Sequence, residues 1–412
     1  MSIPFFSIDL DLKDIFSLTK NIIFPFNKQK SELKIQKILE RRFPNKSVVI
    51  LPSARLGFYL SLKKYFKEND EIIFSSMSFP LYVKIANQLK LKVRLVDVNE
   101  KNLNIDLKKL NESITPLTKG IVATHLFGYP CEINQIKDIA KKNNIVLIED
   151  CAQSFGTYSN DIETGNFGDV GIFSCSLIKI PTTLGGGILI TSNKELVKFI
   201  YSWKKENLSK SIKKEFLLIL KNIISVANSF PFLYSILSSK VLFFLNRFNP
   251  RVYRKIIYSG MGLKKGVFDP RERSDLSKYQ LEFGISQLNK LDKMQEKRTQ
   301  NSIYLKNKLA GLKNVSFLDY DEKIKWNYQY FIIKINNNYS EFNKKIFKRG
   351  VHAMEENVWN CLDYNYSIIN DGDNFNRTIE NNQKILRIQN SSYLTKKNLD
   401  KIISTIIESA ND

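Results

Sequence analysis

The chain of 412 residues has few side chains that bind metals or form disulfides, with only four Cys and two His. No two cysteines are in a Cys-x-x-Cys spacing, so the sequence predicts neither a zinc cluster nor a disulfide framework, and it favours a reducing compartment. Near the N-terminus, Asp9 and Asp11 occupy positions where an export signal has a basic start. We therefore expect a cytoplasmic protein with no bound metal.

Two further patterns are missing. No apolar run reaches the roughly 20 residues that a membrane-spanning helix needs. The glycine triplet at 185–187 precedes a predicted strand instead of following one. It therefore does not match the glycine-rich fingerprints that bind dinucleotides or nucleoside triphosphates.

Positive charge, in contrast, is abundant. The chain has 63 Lys and Arg against 41 Asp and Glu, a net charge of +22. Residues 204–266 hold thirteen of the basic residues and only two Glu, which is half of this excess. Because 43% of the residues are apolar and 12% aromatic, a folded protein is still expected.

Short apolar, β-branched segments alternate with segments of helical length between residues 47 and 200. This alternation predicts an α/β domain with a mostly parallel, seven-stranded sheet and helices on both faces. Helices are expected to begin after Ser53, Asp106 and Glu132. The predicted strands are 47–51, 71–75, 92–98, 120–127, 145–150, 170–174 and 187–191.

Four regions are predicted: an N-terminal segment at 1–45, a large domain at 46–203, a basic helical insertion at 204–270, and a C-terminal part at 271–412. In the insertion, apolar stretches interrupted by Pro231 predict two helices. The C-terminal part is predicted to form a long helix and a small α+β domain. Its expected elements are a helix over 276–309, strands at 315–318 and 328–335, and a final helix over 396–408.

Two ionisable residues follow predicted strands of the large domain. Asp150 ends an apolar strand, and open parallel sheets bind ligands at that end of their strands. Lys179 lies in an apolar sequence, where desolvation favours the neutral amine that reacts with carbonyl groups. Facing each other, they would suit pyridoxal phosphate, which needs a Schiff-base lysine and an acidic partner for its pyridinium nitrogen. From spacing alone, a capping Asp and a solvated Lys remain the alternative.

Three sequence blocks carry a family pattern. DEIIFSSMSFP has a Ser-Phe pair after a strand, and VDVNEKNLNIDLKKLNESITPLTKGIVATHLFGYPCEINQI has an Asn-x-Asp helix start and a His-Leu-x-Gly strand end. NNIVLIEDCAQSFG is followed at fitting intervals by Gly168-Asp169, Phe173-Ser174, Lys179 and Gly186-Gly187. The sequence resembles the DegT-type pyridoxal-phosphate-dependent nucleotide-sugar aminotransferases from about residue 45 to 200, and again near LSKYQLEFGISQLNKLDKMQEKR. The resemblance implies the fold type I of pyridoxal-phosphate enzymes.

The resemblance also implies roles for residues near the cofactor ring. Lys179 matches the Schiff-base lysine, which also moves the proton between the two carbons of the imine. Asp150 matches the partner of the pyridine nitrogen, and Gln153 the polar group near the phenolic oxygen. Phe79 matches the aromatic residue stacked on the ring, although an ordinary core Phe is a rival interpretation.

The cofactor phosphate has its own matches. Ser53 and Ala54 match a helix start whose amides hold the phosphate, and Ser174 matches a further contact. A plain helix cap is the alternative for Ser53. His125 lies in the His-Leu-x-Gly position, where an active-site neighbour and a structural histidine are both open.

The activity implied is transfer of an amino group from an amino acid, glutamate by family habit, to a keto-sugar in glycan or amino-sugar biosynthesis by a homodimer. Some family dehydratases have His where Lys179 stands, so the lysine favours transamination. Ile180, Gly185 and the Arg273-Ser-Asp segment depart from the family pattern, and the last replaces an Asn-x-Arg element that reaches the neighbouring subunit. A dehydratase, or a catalytically inactive membrane-associated protein with this fold, therefore stays as an alternative.

Residues 211–248 of the insertion combine apolar and basic residues. This combination is typical of helices that lie on an anionic membrane surface, and equally of a helical pair that covers the protein's own core. The first interpretation implies a peripheral location on the inner face of the cell membrane and raises the hypothesis of a lipid-linked sugar substrate. No nucleic-acid partner is predicted, because no binding motif or strand-borne stacking platform is present.

Overall fold

The computed structural model describes residues 1–25, 27–208, 212–249, 251–253, 267–272, 274–321, 323–355, 359–364, 366–369 and 372–411. Arg273 and residues 209–211, 250 and 254–266 of the predicted insertion lie outside the described residues. The predicted region boundaries at 45/46, 203/204 and 270/271 remain predictions.

An eight-stranded sheet forms the centre of the large domain. Its strands are β1 (Ser47–Leu51), β2 (Glu71–Ser75), β3 (Lys92–Val96), β4 (Thr118–Thr124), β5 (Val146–Asp150), β8 (Val170–Ser174), β9 (Gly187–Thr191) and β13 (Ile368–Ile369), in the order β1-β9-β8-β5-β4-β2-β3-β13. Only the β1–β9 and β8–β9 pairs are antiparallel. A small hairpin of β6 (Tyr158–Ser159) and β7 (Ile162–Glu163) lies between β5 and β8 in the sequence.

All seven predicted strands are present, but the predicted strand number was wrong. The eighth strand, β13, comes from the C-terminal part and pairs in parallel with β3 at the edge of the sheet. Its two residues are too short to produce a periodic pattern. The predicted end of β4 at Phe127 was also wrong, because residues 126–128 form a tight turn in which Phe127 has a φ of 59°.

Helices cover both faces of this sheet. On one face, α3 (Ala54–Tyr65), α4 (Pro80–Gln88) and α7 (Lys194–Asn207) share a buried cluster that includes Phe58, Leu81 and Leu196. On the other face, α5 (Leu107–Ser113) and α6 (Ile133–Lys142) bury Leu110 and Ile136. A third cluster joins α2 (Lys28–Arg42) and α11 (Lys278–Asn289) to the β1–β9 edge. The predicted α/β architecture is confirmed.

The C-terminal part contains a second, antiparallel sheet. Its strands are β10 (Val315–Ser316), β11 (Tyr330–Ile335), β12 (Met354–Glu355) and β14 (Ile385–Gln389), in the order β10-β11-β14-β12. The helices are α12 (Leu291–Leu309), α13 (Tyr339–Lys348), α14 (Asn376–Asn382) and α15 (Lys396–Asn411). The single helix predicted over 276–309 was wrong: α11 and α12 are separate helices that meet at Lys290.

Residues 2–9, here called the N-terminal strut, connect distant parts of the molecule. Ile3 pairs with Val351 beside the small sheet. The Ser2 amide donates to Ser235 Oγ at 2.7 Å. The Asp9 carboxylate, itself buried, accepts hydrogen bonds from Arg298 and Ser391. Beyond the strut, α1 (Leu12–Ile23) packs on α11.

The insertion forms three described helices, α8 (Ile212–Ala227), α9 (Pro231–Leu237) and α10 (Ser239–Phe248). The predicted break at Pro231 is present, but the prediction of two helices was wrong because a second break falls at Ser238, whose φ and ψ are −122° and −34°. No single described helix has the length and composition of a membrane span. Lys213–Ala227 and Pro231–Leu237, bent by 107° to each other, meet those criteria only as a pair.

Candidate active site

The candidate residues gather where the central strands end. Asp150 is the last residue of β5, Ser174 is the last of β8, and Lys179 lies in the connection from β8 to β9. Because β5 and β8 are parallel neighbours, their carboxyl ends meet at one edge of the sheet. A cavity of about 460 Å³ opens there, and Lys179, Ser174, Ser53, Ala54 and Phe79 are among the residues that line it.

Lys179 lies in this cavity as a buried amine. Its Nζ atom has no hydrogen-bond partner among the described residues. Burial and the positive charge of Arg387 lower the pKa of Lys179 to about 7, although the charge of Asp150 opposes the shift. Nζ also lies 5.6 Å from the centre of the Trp359 ring. A large fraction of the amine is therefore neutral, and so nucleophilic, near neutral pH.

Asp150 is buried behind the lysine. It accepts a hydrogen bond from the Ala152 amide at 3.1 Å. Burial raises the pKa of the Asp150 carboxyl, while that hydrogen bond and the charge of Lys179 act in the opposite direction. Gln153 follows in the same turn, and its Oε1 atom is buried without a hydrogen-bond partner among the described residues. Asp150 and Gln153 thus lie near the cavity without being among its lining residues.

The N-terminus of α3 forms another wall of the cavity. Ser53 caps this helix by accepting a hydrogen bond from the Leu56 amide at 3.2 Å. Gly187 approaches so closely that a Cβ atom there would lie 2.3 Å from the Ala54 nitrogen. Arg55, also in the lining, places a cation in the first helical turn, which the helix dipole disfavours unless an anion lies beside it. This wall therefore has the chemistry of an anion site.

Aromatic rings form the opposite side. Phe79 contacts Trp359, with ring centres 5.3 Å apart, and Tyr82, with ring centres 5.4 Å apart. Tyr82 in turn stacks on Phe58 at 4.0 Å. Phe79 is therefore a cavity wall rather than only a core residue.

His125 lies away from the lining residues and has two protein partners. Its Nδ1 atom accepts a hydrogen bond from the Cys131 amide at 3.2 Å, which leaves the proton on Nε2 to donate to Glu149 at 3.2 Å. Glu149 also accepts three amide hydrogen bonds, each of 2.7 Å, from Gly165, Phe167 and Gly168. This geometry favours the structural interpretation of His125.

The same histidine belongs to a group of three ligand-type side chains. His125, Glu149 and Cys151 are buried, and their ligand atoms lie within 4.8 Å of one another. Burial raises the pKa of the Cys151 thiol well above its usual value, so the metal-binding thiolate is disfavoured. The hydrogen bonds of Glu149 instead give the group a role in holding the 165–168 segment against β5.

Three residues of the site were not predicted. Arg387 is a fully buried residue of β14 whose guanidinium lies 4.8 Å from the Tyr330 ring centre and 5.5 Å from that of Trp359. Trp359 precedes a short turn with no recognisable pattern. For Arg55, the sequence did offer a signal, since a cation two residues after the predicted helix cap Ser53 is unfavourable without an anion nearby.

Comparison with known proteins gives a family match for part of the chain. Residues 34–219 match the model of the DegT/DnrJ/EryC1/StrS aminotransferase family. A GDP-4-keto-6-deoxy-D-mannose 3-dehydratase of Yersinia pseudotuberculosis is 36% identical over 140 residues, 34% of this chain and 36% of that protein. A GDP-perosamine synthase of Escherichia coli O157:H7 is 32% identical over 142 residues, 34% of this chain and 39% of that protein. The chain thus matches well under half the length of these two curated relatives.

Solved structures resemble the chain over its whole length. PseC of Helicobacter pylori, an aminotransferase involved in the biosynthesis of pseudoaminic acid, superposes with a TM-score of 0.78, 16% identity and 100% of both chains covered. An E. coli GDP-4-keto-6-deoxy-D-mannose-3-dehydratase with bound hydrated PLP gives a TM-score of 0.76 at 17% identity, covering 98% of this chain and 99% of that chain. The predicted fold type I is confirmed. Residues 34–219 thus match the model of the DegT/DnrJ/EryC1/StrS aminotransferase family, and the chain as a whole has the fold of the solved sugar aminotransferases.

Proposed function

We propose that this chain is a pyridoxal-phosphate-dependent aminotransferase that moves an amino group from an amino acid, glutamate in the family that it resembles, to a keto-sugar in amino-sugar or glycan biosynthesis. The observation that carries the proposal is the Lys179 amine, buried in a cavity and without a hydrogen-bond partner among the described residues. The family of residues 34–219 supports it.

The residues around the cavity fit the cofactor. Lys179 supplies the amine that holds it, and Asp150 supplies a carboxyl for the pyridine nitrogen. Ser53, Ala54 and Ser174, which line the cavity, would hold its phosphate. The Gln153 oxygen has no hydrogen-bond partner among the described residues, and Gly187 lies close to Ala54. Both features suit a bound ligand. When bound, pyridoxal phosphate supplies a ring that accepts the electron pair left on the carbon that carries the amine.

The protein's own residues then bind the reactants and move protons. Lys179 Nζ, with its pKa near 7, takes a proton at the reacting carbon and returns it at the neighbouring position. Asp150 keeps a proton on the pyridine nitrogen. Arg387 contributes a positive charge close enough to lower the pKa of Lys179, and we assign it the attraction of the donor's carboxylate. Phe79 and Trp359 exclude water from one side of the cavity.

Replacement of Lys179 tests this function. Lys179→Ala is expected to abolish the absorbance band, near the visible edge, that the cofactor bound to this lysine produces, because the covalent anchor is removed. It is also expected to lower the rate of amino transfer by at least roughly 10²-fold, because the base is removed. The matched control is Lys198→Ala, which removes an exposed lysine of α7. The measurements are the absorbance spectrum and the spectral change on addition of glutamate.

The alternatives give other results. A dehydratase releases water from the sugar and incorporates no amine into its product, which mass spectrometry of the product distinguishes. Absence of the band in the wild-type protein would favour a protein that has lost catalysis and would contradict the proposal.

We further propose that the insertion contacts an anionic membrane surface, which puts the protein on the inner face of the cell membrane. Eleven more positive than negative charges at 204–266 complement anionic head groups. The outer faces of the three helices are apolar and exposed. The exposed residues include Phe216, Leu217, Leu220, Ile223, Ile224, Phe232, Leu233, Ile236, Phe243, Phe244 and Phe248.

One pair of substitutions tests membrane contact. Ile223→Asn in α8 is expected to lower partition onto anionic vesicles roughly tenfold, because it removes one buried aliphatic side chain from the lipid contact. Ile303→Asn in α12 is the matched control, since the two side chains are 54% and 51% exposed. Vesicle flotation measures the partition.

The homodimer implied by the family stays a proposal, and the same experiment separates it from lipid contact. If the outer faces are buried between two copies, Ile223→Asn weakens the dimer, so the mass measured by light scattering falls from twice 47.9 kDa towards 47.9 kDa. Vesicle partition is then unchanged. That result would contradict the membrane proposal.

A further inference from the structure

The cavity that holds Lys179 is lined by two chemically different walls. The site wall consists of Ser53, Ala54, Ser174, Lys179 and Gly186, where polar groups and backbone predominate. The insertion contributes a second wall from α8, α9, α10 and the turn before α9. Its aliphatic members are Leu218, Leu237, Val241, Leu242 and Leu245, and its polar members are Lys221, Asn222, Ser225, Asn228, Tyr234 and Ser238. One continuous space thus connects the reactive amine to the insertion.

This space opens on the apolar outer surface of the insertion. Leu237 and Val241 line the cavity and are also 58% and 57% exposed, so they mark its mouth. Around them lie exposed apolar residues of the same helices, among them Phe232 and Phe244. A helix that is apolar on its inner and outer faces is typical of burial or of contact with lipid, whereas a cover over a soluble core has a polar outer face.

Several polar side chains along the insertion wall have partners within the protein. Asn222 donates to the Tyr279 hydroxyl at 3.1 Å, and Ser238 donates to Asn228 at 2.6 Å. A substrate that passes this wall therefore meets mainly hydrocarbon.

We propose that the keto-sugar enters on a hydrocarbon chain: the sugar lies at Lys179, and the chain runs past Leu218 and Leu245 to leave between Leu237 and Val241 into the lipid surface. The inference rests on the proposed function and names its substrate class, a glycolipid. The cavity of about 460 Å³ lies within the range of small-molecule sites.

Alkyl glucosides of increasing chain length, used below their micellar concentrations, probe this inference in the full-length protein. Calorimetric titration is expected to give one saturable site, with affinity increasing roughly tenfold for every two methylene groups that enter the cavity. Binding that does not saturate, or that is independent of chain length, would overturn it.

A neighbouring pair in α8 provides the matched variants. Leu218→Asn places an amide in the cavity, and the affinity of this variant for decyl glucoside is expected to be at least fivefold lower than that of the wild type. Leu217→Asn changes an outward side chain, 54% exposed, and is expected to leave that affinity within twofold while weakening vesicle partition. Equal effects of the two variants on decyl glucoside binding would overturn the inference.

A second variant guards against loss of folding. Leu245→Trp fills the same wall without adding a charge, and we expect it to shorten the longest chain that binds while the thermal unfolding temperature stays close to wild type. If Leu245→Trp remains folded and binds every chain length as the wild type does, the chain path is wrong.

Failure of the inference is distinguishable from failure of the proposed function. The spectral change on addition of glutamate requires Lys179 but no sugar. If this change is observed and alkyl glucosides do not bind, only the glycolipid inference is refuted. Alkyl glucoside binding together with an unchanged absorbance band in Lys179→Ala refutes the aminotransferase.

Discussion

Lys179 and Asp150 are ionisable side chains that burial moves towards their neutral forms. Desolvation lowers the pKa of Lys179 to about 7 and raises that of Asp150. Because burial disfavours the protonated form of Lys179, the folded state is less stable than it would be if this lysine were exposed to water. The protein without its cofactor therefore maintains a reactive amine at the expense of stability, as functional sites commonly do.

This cost predicts a pH dependence in the cofactor-free protein. Between pH 7 and 10.5 the unfolded Lys179 binds a proton and the folded one does not, so the free energy of unfolding increases with pH across this window. Lys179→Met should remove the cost and raise the free energy of unfolding at pH 7 by on the order of a few kcal/mol, and by much less near pH 10.5. Urea denaturation at several pH values measures the difference.

The exposed Lys108 is the control, because Lys108→Met alters a surface position with 86% of its side chain accessible. Equal changes in the two variants at every pH would contradict this account of Lys179.

At the scale of elements, β9 and the start of α3 must lie close together for the anion site to form. Gly187 makes that approach possible, since it has no Cβ atom to meet the Ala54 nitrogen. A Cβ atom at Gly57, one turn into α3, would meet the end of the Leu51 side chain at 2.9 Å and make ordinary contacts with the Leu189 side chain. The two glycines therefore differ in what a methyl group would displace: backbone at one, a mobile side chain at the other.

We predict opposite outcomes for the same substitution at these two positions. Gly187→Ala should destabilise the protein by about 1–3 kcal/mol and weaken cofactor binding, because the backbone of the anion site must move. Gly57→Ala should be neutral or slightly stabilising, since alanine favours a helix by about 1 kcal/mol over glycine. Thermal unfolding and titration with pyridoxal phosphate measure both, and a harmless Gly187→Ala would contradict the close approach.

At the scale of the whole molecule, the N-terminal strut links regions far apart in sequence. Asp9 joins Arg298 of α12 to Ser391, which follows the small sheet. Both charged side chains are buried, at 2% and 5% exposure. A buried charge left without its partner is costly, so this pair couples the strut to the C-terminal part.

Neutralising Asp9 should therefore loosen the entire chain. Asp9→Asn is expected to lower the free energy of unfolding by about 3–5 kcal/mol, because Arg298 loses its partner in the interior. Asp11→Asn is the control: its side chain is 38% exposed, and Asn caps a helix as well as Asp does, so the change should stay under about 1 kcal/mol. Chemical denaturation measures both, and equal effects would contradict the role of the pair.

The large domain was predictable because its strands are unbroken β-branched runs and its helices begin at clear caps. Val170–Ser174 and the cap at Ser53 are as predicted. The features that were not predicted depend on contacts between residues far apart in the sequence. Arg387 interrupts the apolar pattern of β14, and only the fold brings it beside Trp359. The two-residue β13 and the second break at Ser238 likewise result from tertiary packing that no local period encodes.

The strut also constrains how the protein is best handled. Ser2 and Ser7 bond directly to the insertion, through Ser235 and Ser229, while Ile3 pairs with Val351. A purification tag fused before Ser2 would lie at the junction of the insertion with the small sheet and would disturb the mouth of the cavity. A tag placed after α15 avoids that junction, so membrane and ligand measurements should compare the two fusions before any substitution is interpreted.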